Sequence, residues 1–141
     1  VAFGEIVRGM HHRGASLVIV MMFLHTLRVF FTGSYKKPRE LNWIVGVGIF
    51  GVMMGLGFTG YLLPWDMKAL FATKVGIEIA ASVPFIGEYI KILLAGDSTI
   101  LGAQTLTRFF AIHVFFLPAA LFALLAAHFI MIRRQGISGP L

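Results

Sequence analysis

The chain contains no cysteine, which excludes disulfides, iron–sulfur clusters ligated from this chain, and any prosthetic group tethered to it through a thioether. Charge is also scarce. Only 13% of the 141 residues are charged while 58% are hydrophobic, too little polar surface for a soluble domain, so the class is a membrane protein. Acid is scarcer still, with six Asp and Glu against twelve Lys and Arg. In a soluble chain that excess would point to nucleic acid. Here the basic residues stand at the ends of apolar runs, where they anchor and orient membrane segments, and nucleic acid is not an expected partner. No run looks like a cleaved signal peptide, because each is too long and none follows a basic start with a small-residue cleavage site.

What is present is apolar length. Three segments are long enough to cross a bilayer, about residues 14–32, 43–63 and 109–132. The second and third hold no Lys, Arg, Asp or Glu, and the first holds only Arg28. Residues 1–13 read as a lead-in, and the ten residues Gly33 to Asn42 as a turn that can only join antiparallel neighbours. Pro64 should end the second span, with Trp65 at the membrane interface. Between the second and third spans, apolar residues recur at helical spacing (Val75, Ile79, Ile86, Tyr89, Ile90, Leu93, Leu94) among Lys74, Glu78, Glu88 and Lys91. That pattern predicts an amphipathic helix pair over about 67–96, broken at Ser82 to Pro84, ending at Gly96 and Asp97, and lying along the membrane surface. Pro118 should kink the third span about one turn past His113. The expected fold is an all-α membrane protein, one membrane domain over residues 1–141.

Histidine carries the functional signal. His11 and His25 lie fourteen residues apart on the first span, and His113 and His128 lie fifteen apart on the third. At about 1.5 Å rise and 100° per residue, each pair is separated by roughly 21 Å yet stays near one helix face. His12 points about 100° away from His11 and reads as interfacial. Short basic loops stay on the cytoplasmic side, so Lys36, Lys37, Arg39, Arg133 and Arg134 place the first loop and the tail there. The first and third spans then run in one direction, which pairs His11 with His113 toward the outside and His25 with His128 toward the inside.

Histidine inside a membrane span is costly and marks a role. A zinc or copper site would gather its ligands into one cluster, commonly with carboxylate or thiolate, which the spans lack. A proton channel would need Asp or Glu at mid-depth. Two imidazoles at each of two levels instead suit two planar haems, and filling both axial positions gives electron transfer without oxygen binding. Arg8, Arg28 and Arg108 flank the histidine levels and could pair with propionates, as Arg133 could, though interfacial anchoring explains them equally well. Gly46 and Gly60 are fourteen apart on the antiparallel second span, at the two histidine levels, where a missing side chain leaves room for a porphyrin edge. The bland alternative for the glycines is close helix packing of the kind Gly51 and Gly55 represent.

With these residues in view, the segments MHHRGAS, LHTLRVFFTGSYKKPREL, GYLLPWD, TLTRFF and IRRQGISGPL resemble the cytochrome b of quinol–cytochrome c (or plastocyanin) oxidoreductases, over almost the whole chain. The fifteen-residue histidine gap, the GSYKKPREL loop and the QGISGPL ending resemble the short, split form, more the menaquinol type of Gram-positive bacteria than the photosynthetic type. The resemblance implies three transmembrane helices of a four-helix haem-binding bundle, with one further span ahead of this sequence, in a bacterial plasma membrane or, alternatively, a thylakoid membrane. It implies two b-type haems: a lower-potential one on His11 and His113 near an outer quinol-oxidising site, and a higher-potential one on His25 and His128 near an inner quinone-reducing site, with Arg133 beside it. It implies, as partners, a Rieske iron–sulfur protein, a c-type cytochrome and a C-terminal-half subunit, in a dimeric complex. The Pro-Glu-(aromatic)-Tyr motif of the outer site is absent and would sit on that last subunit, so this chain would not oxidise quinol alone. A third, covalent haem depends on a cysteine in the preceding helix and stays open. The rival readings are a di-haem anchor of another dehydrogenase, which would lack the surface helices and the PWD segment, and a non-redox membrane scaffold.

Overall fold

A computed structural model of the chain describes residues 3–96 and 101–139, and every regular element among them is helical. In order these are α1 (Gly4–Phe31), α2 (Glu40–Leu62), α3 (Met67–Ala81), α4 (Gly87–Ala95), α5 (Ala103–Ala111) and α6 (Leu117–Gln135), with a π turn at Ile112–Phe116 joining the last two. Through that turn α5 and α6 make one run of 33 residues, and this run, α1 with 28 and α2 with 23 are long and apolar enough to cross a membrane. Asp97, where the surface pair was expected to end, and Pro140 and Leu141 of the QGISGPL ending lie outside the described residues.

Proline punctuates the chain. Pro38 precedes α2, Pro64 follows it, Pro84 separates α3 from α4, and Pro118 opens α6. Where proline is absent a helix continues beyond its apolar part. Thus α1 begins at Gly4 rather than near residue 14, because nothing in the expected lead-in breaks it and Glu5 in its first turn complements the helix dipole. The irregularity near Pro118 also sits differently from the expectation: it precedes the proline. Pro118 has no N–H for the Val114 carbonyl and its ring crowds that carbonyl, so the turn before it widens.

Two compact units are present, one built from Val1–Met54 with Leu121–Leu141, the other from Gly55–Ala120. In the first, Phe23 meets Phe50 edge-on at 5.1 Å, Phe30 stacks on Tyr35 at 5.8 Å, and Tyr35 meets Trp43 at 5.6 Å, which fixes α1 antiparallel to the start of α2. A strap closes one end. Thr32 and Ser34 hydroxyls lie 2.6 Å apart, Ser34 and Ser138 another 2.6 Å, and Arg39 donates from Nε and Nη2 to the Gly136 and Ile137 carbonyls, each at 3.2 Å.

In the second unit Leu62, Ala69, Ile77, Ala95 and Phe109 form the core, with Phe58, Leu70 and Leu94 packed on it. The stripe buried on α3 is Ala69, Thr73 and Ile77, while Val75 and Ile79 are exposed, as are Ile86, Tyr89 and Leu93 around α4. Small residues on the buried stripe let the elements approach closely; Gly76 lies directly against the Phe58 ring, and Gly87 against the Ala81 carbonyl. Of the apolar residues that made the stripe visible in sequence, Val75, Ile79, Ile86, Tyr89 and Leu93 face outward, whereas Leu94 packs on the core. Lys91 and Glu78 pair at 3.7 Å between α4 and α3, too exposed to add much. The PWD segment turns sharply, with Trp65 at a φ of +56° and the Asp66 carboxylate accepting from the Ala69 N–H at 2.8 Å as the N-cap of α3. Asp66→Ala should therefore cost about 1 kcal/mol, read as a lower thermal unfolding midpoint of the purified assembly, with Asp66→Asn close to wild type.

Candidate functional site

Histidine recurs at matched spacing on the first and third spans, so its placement is the first thing to establish. In the first unit α1 carries His25 and α6 carries His128, and their rings meet edge to face with centroids 6.4 Å apart and planes 81° apart. The Ser34–Ser138 contact follows nine residues after His25 and ten after His128, so these two segments run in the same direction. That is the arrangement the charge pattern requires.

The spacing of the rings is informative. A metal–nitrogen bond of about 2.0 Å plus roughly 1.2 Å from nitrogen to ring centre, taken on both sides of one ion, comes to about 6.4 Å. The 6.4 Å between the His25 and His128 centroids matches that sum in length. Among the described residues no group of three or more His, Asp or Glu comes together. Two imidazoles alone would leave further positions of an ion to other donors.

Backbone meets each of the two histidines of the third span at a glycine of α2. In the first unit a Cβ on Gly46 would stand 3.6 Å from Cε1 of His128, ordinary contact. Nδ1 of His128 is buried and makes no hydrogen bond of normal distance and angle, though the Asn42 backbone is close enough to act on the ring. In the second unit His113 sits inside the π turn, and a Cβ on Gly60 would come within 2.6 Å of its Cε1. Its Nδ1 lies 3.2 Å from the Thr59 hydroxyl. So Gly46 and Gly60 both abut imidazoles. Of the packing pair, Gly55 would touch Leu117 while Gly51 faces open space.

The other expected residues are placed as follows. His11 lies on α1 in the first unit and His113 in the second. Arg8, Arg28 and Arg133 are exposed on their helices. Arg108 donates from Nη1 to the Ile92 and Leu93 carbonyls, at 2.6 and 2.7 Å, closing the C-terminal end of α4. Any pairing with a propionate is left to its other N–H groups. Thr59 was not singled out from sequence, although it is a lone threonine in an apolar span and directly precedes Gly60.

Comparison with known proteins follows the geometry. Residues 16–141 match the family described as Cytochrome b(N-terminal)/b6/petB. The chain is 84% identical, along its whole length, to the menaquinol:cytochrome c reductase cytochrome b subunit of Geobacillus thermodenitrificans and 83% identical to that of Bacillus subtilis (strain 168), and it spans 63% of the length of each. It is 48% identical to cytochrome b6 of Heliobacterium modesticaldum, of which it spans 66%. Among solved structures, a chain of a hyperthermophilic respiratory Complex III superposes with a TM-score of 0.88 at 32% identity, over 99% of this chain and 38% of that one.

Proposed function

Since the chain belongs to the cytochrome b N-terminal/b6 family, we propose that it is the di-haem subunit that carries electrons across the membrane, between an outer quinol-oxidising site and an inner quinone-reducing site of a quinol–cytochrome c reductase. Family membership implies b-type haem. With three spans and relatives in Bacillus and Geobacillus, it is a multi-pass protein of a bacterial plasma membrane. The observation that carries the proposal is the 6.4 Å spacing of the His25 and His128 rings, one on each of two co-directional segments.

In this reading His25 and His128 hold one haem iron. His11 and His113 hold a second, paired by the fourteen- and fifteen-residue spacings of the two spans. Haem held by these residues would supply one-electron ferric–ferrous chemistry. The chain's own residues clamp and orient. Four imidazoles fix the two levels, Gly46 and Gly60 let the α2 backbone approach, and Arg8, Arg28 and the remaining N–H groups of Arg108 offer cations to propionates. Arg133, at the cytoplasmic end of α6, would stand beside the inner quinone. The chain acts as one membrane domain and works only with a Rieske iron–sulfur protein, a c-type cytochrome and a C-terminal-half subunit, in a dimeric complex. The relatives in Bacillus and Geobacillus are named for menaquinol, which makes menaquinol the substrate to test.

A reduced-minus-oxidised spectrum of the purified complex checks the proposal. Two b-type signals per copy of this chain are expected. A complex without b-type absorption on this subunit would favour the membrane-scaffold reading.

A further inference from the structure

We propose that Thr59 is a positioning residue for His113, accepting a hydrogen bond from Nδ1–H and thereby fixing the tautomer and lowering the reduction potential of one haem only. This rests on the reading of His113 as an axial ligand.

Thr59 is 3% exposed, in the last turn and a half of α2. Its Oγ1 lies 2.8 Å from the Gly55 carbonyl, 3.4 Å from the Leu56 carbonyl and 3.2 Å from Nδ1 of His113. A hydroxyl has one proton and two lone pairs. The shortest contact is to a carbonyl, which can only accept, so the proton goes to Gly55. Toward His113 the oxygen is then left with a lone pair, and Nδ1 must bring the hydrogen. A neutral imidazole protonated at Nδ1 has its free lone pair on Nε2. The hydroxyl thus selects the ligating tautomer before any iron binds.

Gly60 acts beside it. A Cβ there would stand 2.6 Å from Cε1, 3.1 Å from Nδ1 and 3.2 Å from Nε2 of His113, so only a glycine lets the ring rest against this backbone. The Thr59–Gly60 pair supplies one polar partner and one gap, and together they hold the imidazole in a single orientation. The electronic consequence follows from the same bond. A ligating imidazole that donates its second N–H is a stronger base toward the metal, which favours the ferric over the ferrous ion. On the same helical run Nδ1 of His128 makes no hydrogen bond of normal geometry, so the effect is confined to the His113 haem.

The test is a redox titration of the intact complex carrying Thr59→Val, which keeps the shape and removes the hydroxyl, and Thr59→Ser, which keeps the hydroxyl. Haem stoichiometry and the low-temperature EPR signals of the two ferric haems are read alongside. Thr59→Val should shift the ferric–ferrous equilibrium of one haem toward ferrous by three- to about tenfold, at most about 59 mV upward for a one-electron couple. It should also move the EPR signal of that haem and leave the other haem unchanged. Thr59→Ser should restore the wild-type values. Loss of that single haem in Thr59→Val with retention in Thr59→Ser supports the same role. If the valine variant fails to assemble, Thr59→Ala, which needs no extra room, gives the same readings.

Unchanged potentials and EPR in the variant without the hydroxyl overturn the proposal. So does an equal shift of both haems, or a serine variant that behaves like valine. His113→Ala separates this inference from the reading beneath it. If that variant keeps both haems, His113 is not a ligand; if it loses one while Thr59→Val changes nothing, only the role of Thr59 falls.

Discussion

Alanine at either His25 or His128 should remove one and the same b-type haem from the assembled complex and leave the other at full occupancy. The two rings lie 6.4 Å apart on segments that run in the same direction, so in the proposed function each would supply half of one axial pair. A haem iron stripped of one imidazole keeps only a single protein bond and loses its low-spin spectrum. The expected result is a fall from two haems per copy to one in each variant, with the same absorption band missing both times. The double variant should look like either single one, because a shared group can be lost only once. If His25→Ala and His128→Ala removed different bands, the pairing would be wrong and each histidine would have to be ligated with some other partner. The fold should survive, because both residues lie at least partly outside the buried core and α1 and α6 are held in register by the Ser34–Ser138 and Arg39 contacts.

Gly60→Ala should be the most damaging single-methyl change in α2. Its Cβ would meet His113 Cε1 at 2.6 Å, about 1 Å inside normal carbon–carbon contact. The ring or the helix must give way, and metal-ligand geometry tolerates only about 0.5 Å of error. Occupancy of the His113 haem should drop to a small fraction, while the His25–His128 haem persists. Gly51→Ala adds its methyl to open space and should be silent. Gly46→Ala, at 3.6 Å from His128, should fall between the two. Haem content of the three purified variants checks the order. Full occupancy with an unshifted EPR signal in Gly60→Ala would show that the ring moves aside freely and that the close approach has no role in ligation.

Much of this was readable from the residues because lipid is an unforgiving solvent. Three long apolar runs, two without charge and one holding only Arg28, are long enough to span, and imidazoles inside them need a reason, so the helices and the His25–His128 pair follow from composition and spacing. Features that depend on which neighbour a side chain meets were not readable. Arg108 stood out as a cation for a propionate, yet one of its amino groups is engaged by two carbonyls at the end of α4, which no linear pattern reports. The apolar stripe along α3 and α4 was expected to lie along the membrane surface, and the residues that α3 buries within the protein, Ala69, Thr73 and Ile77, form a separate stripe at four-residue spacing that the pattern did not single out. Thr59 escaped notice because a threonine in a helix ordinarily back-bonds to its own preceding turn. Thr59 does this too, and the ring nitrogen is reached by the lone pair left over. The start of α1 was missed for a simpler reason: hydropathy marks where lipid ends, and a helix without proline need not end there.

The widened turn at Ile112–Phe116 has a consequence for counting. A π turn absorbs one residue more than the α turn it replaces, so that residue adds no angular advance. The sequence interval from His113 to His128 is fifteen, one more than the fourteen from His11 to His25. A π turn ahead of a proline is the local device by which a helix takes up one extra residue.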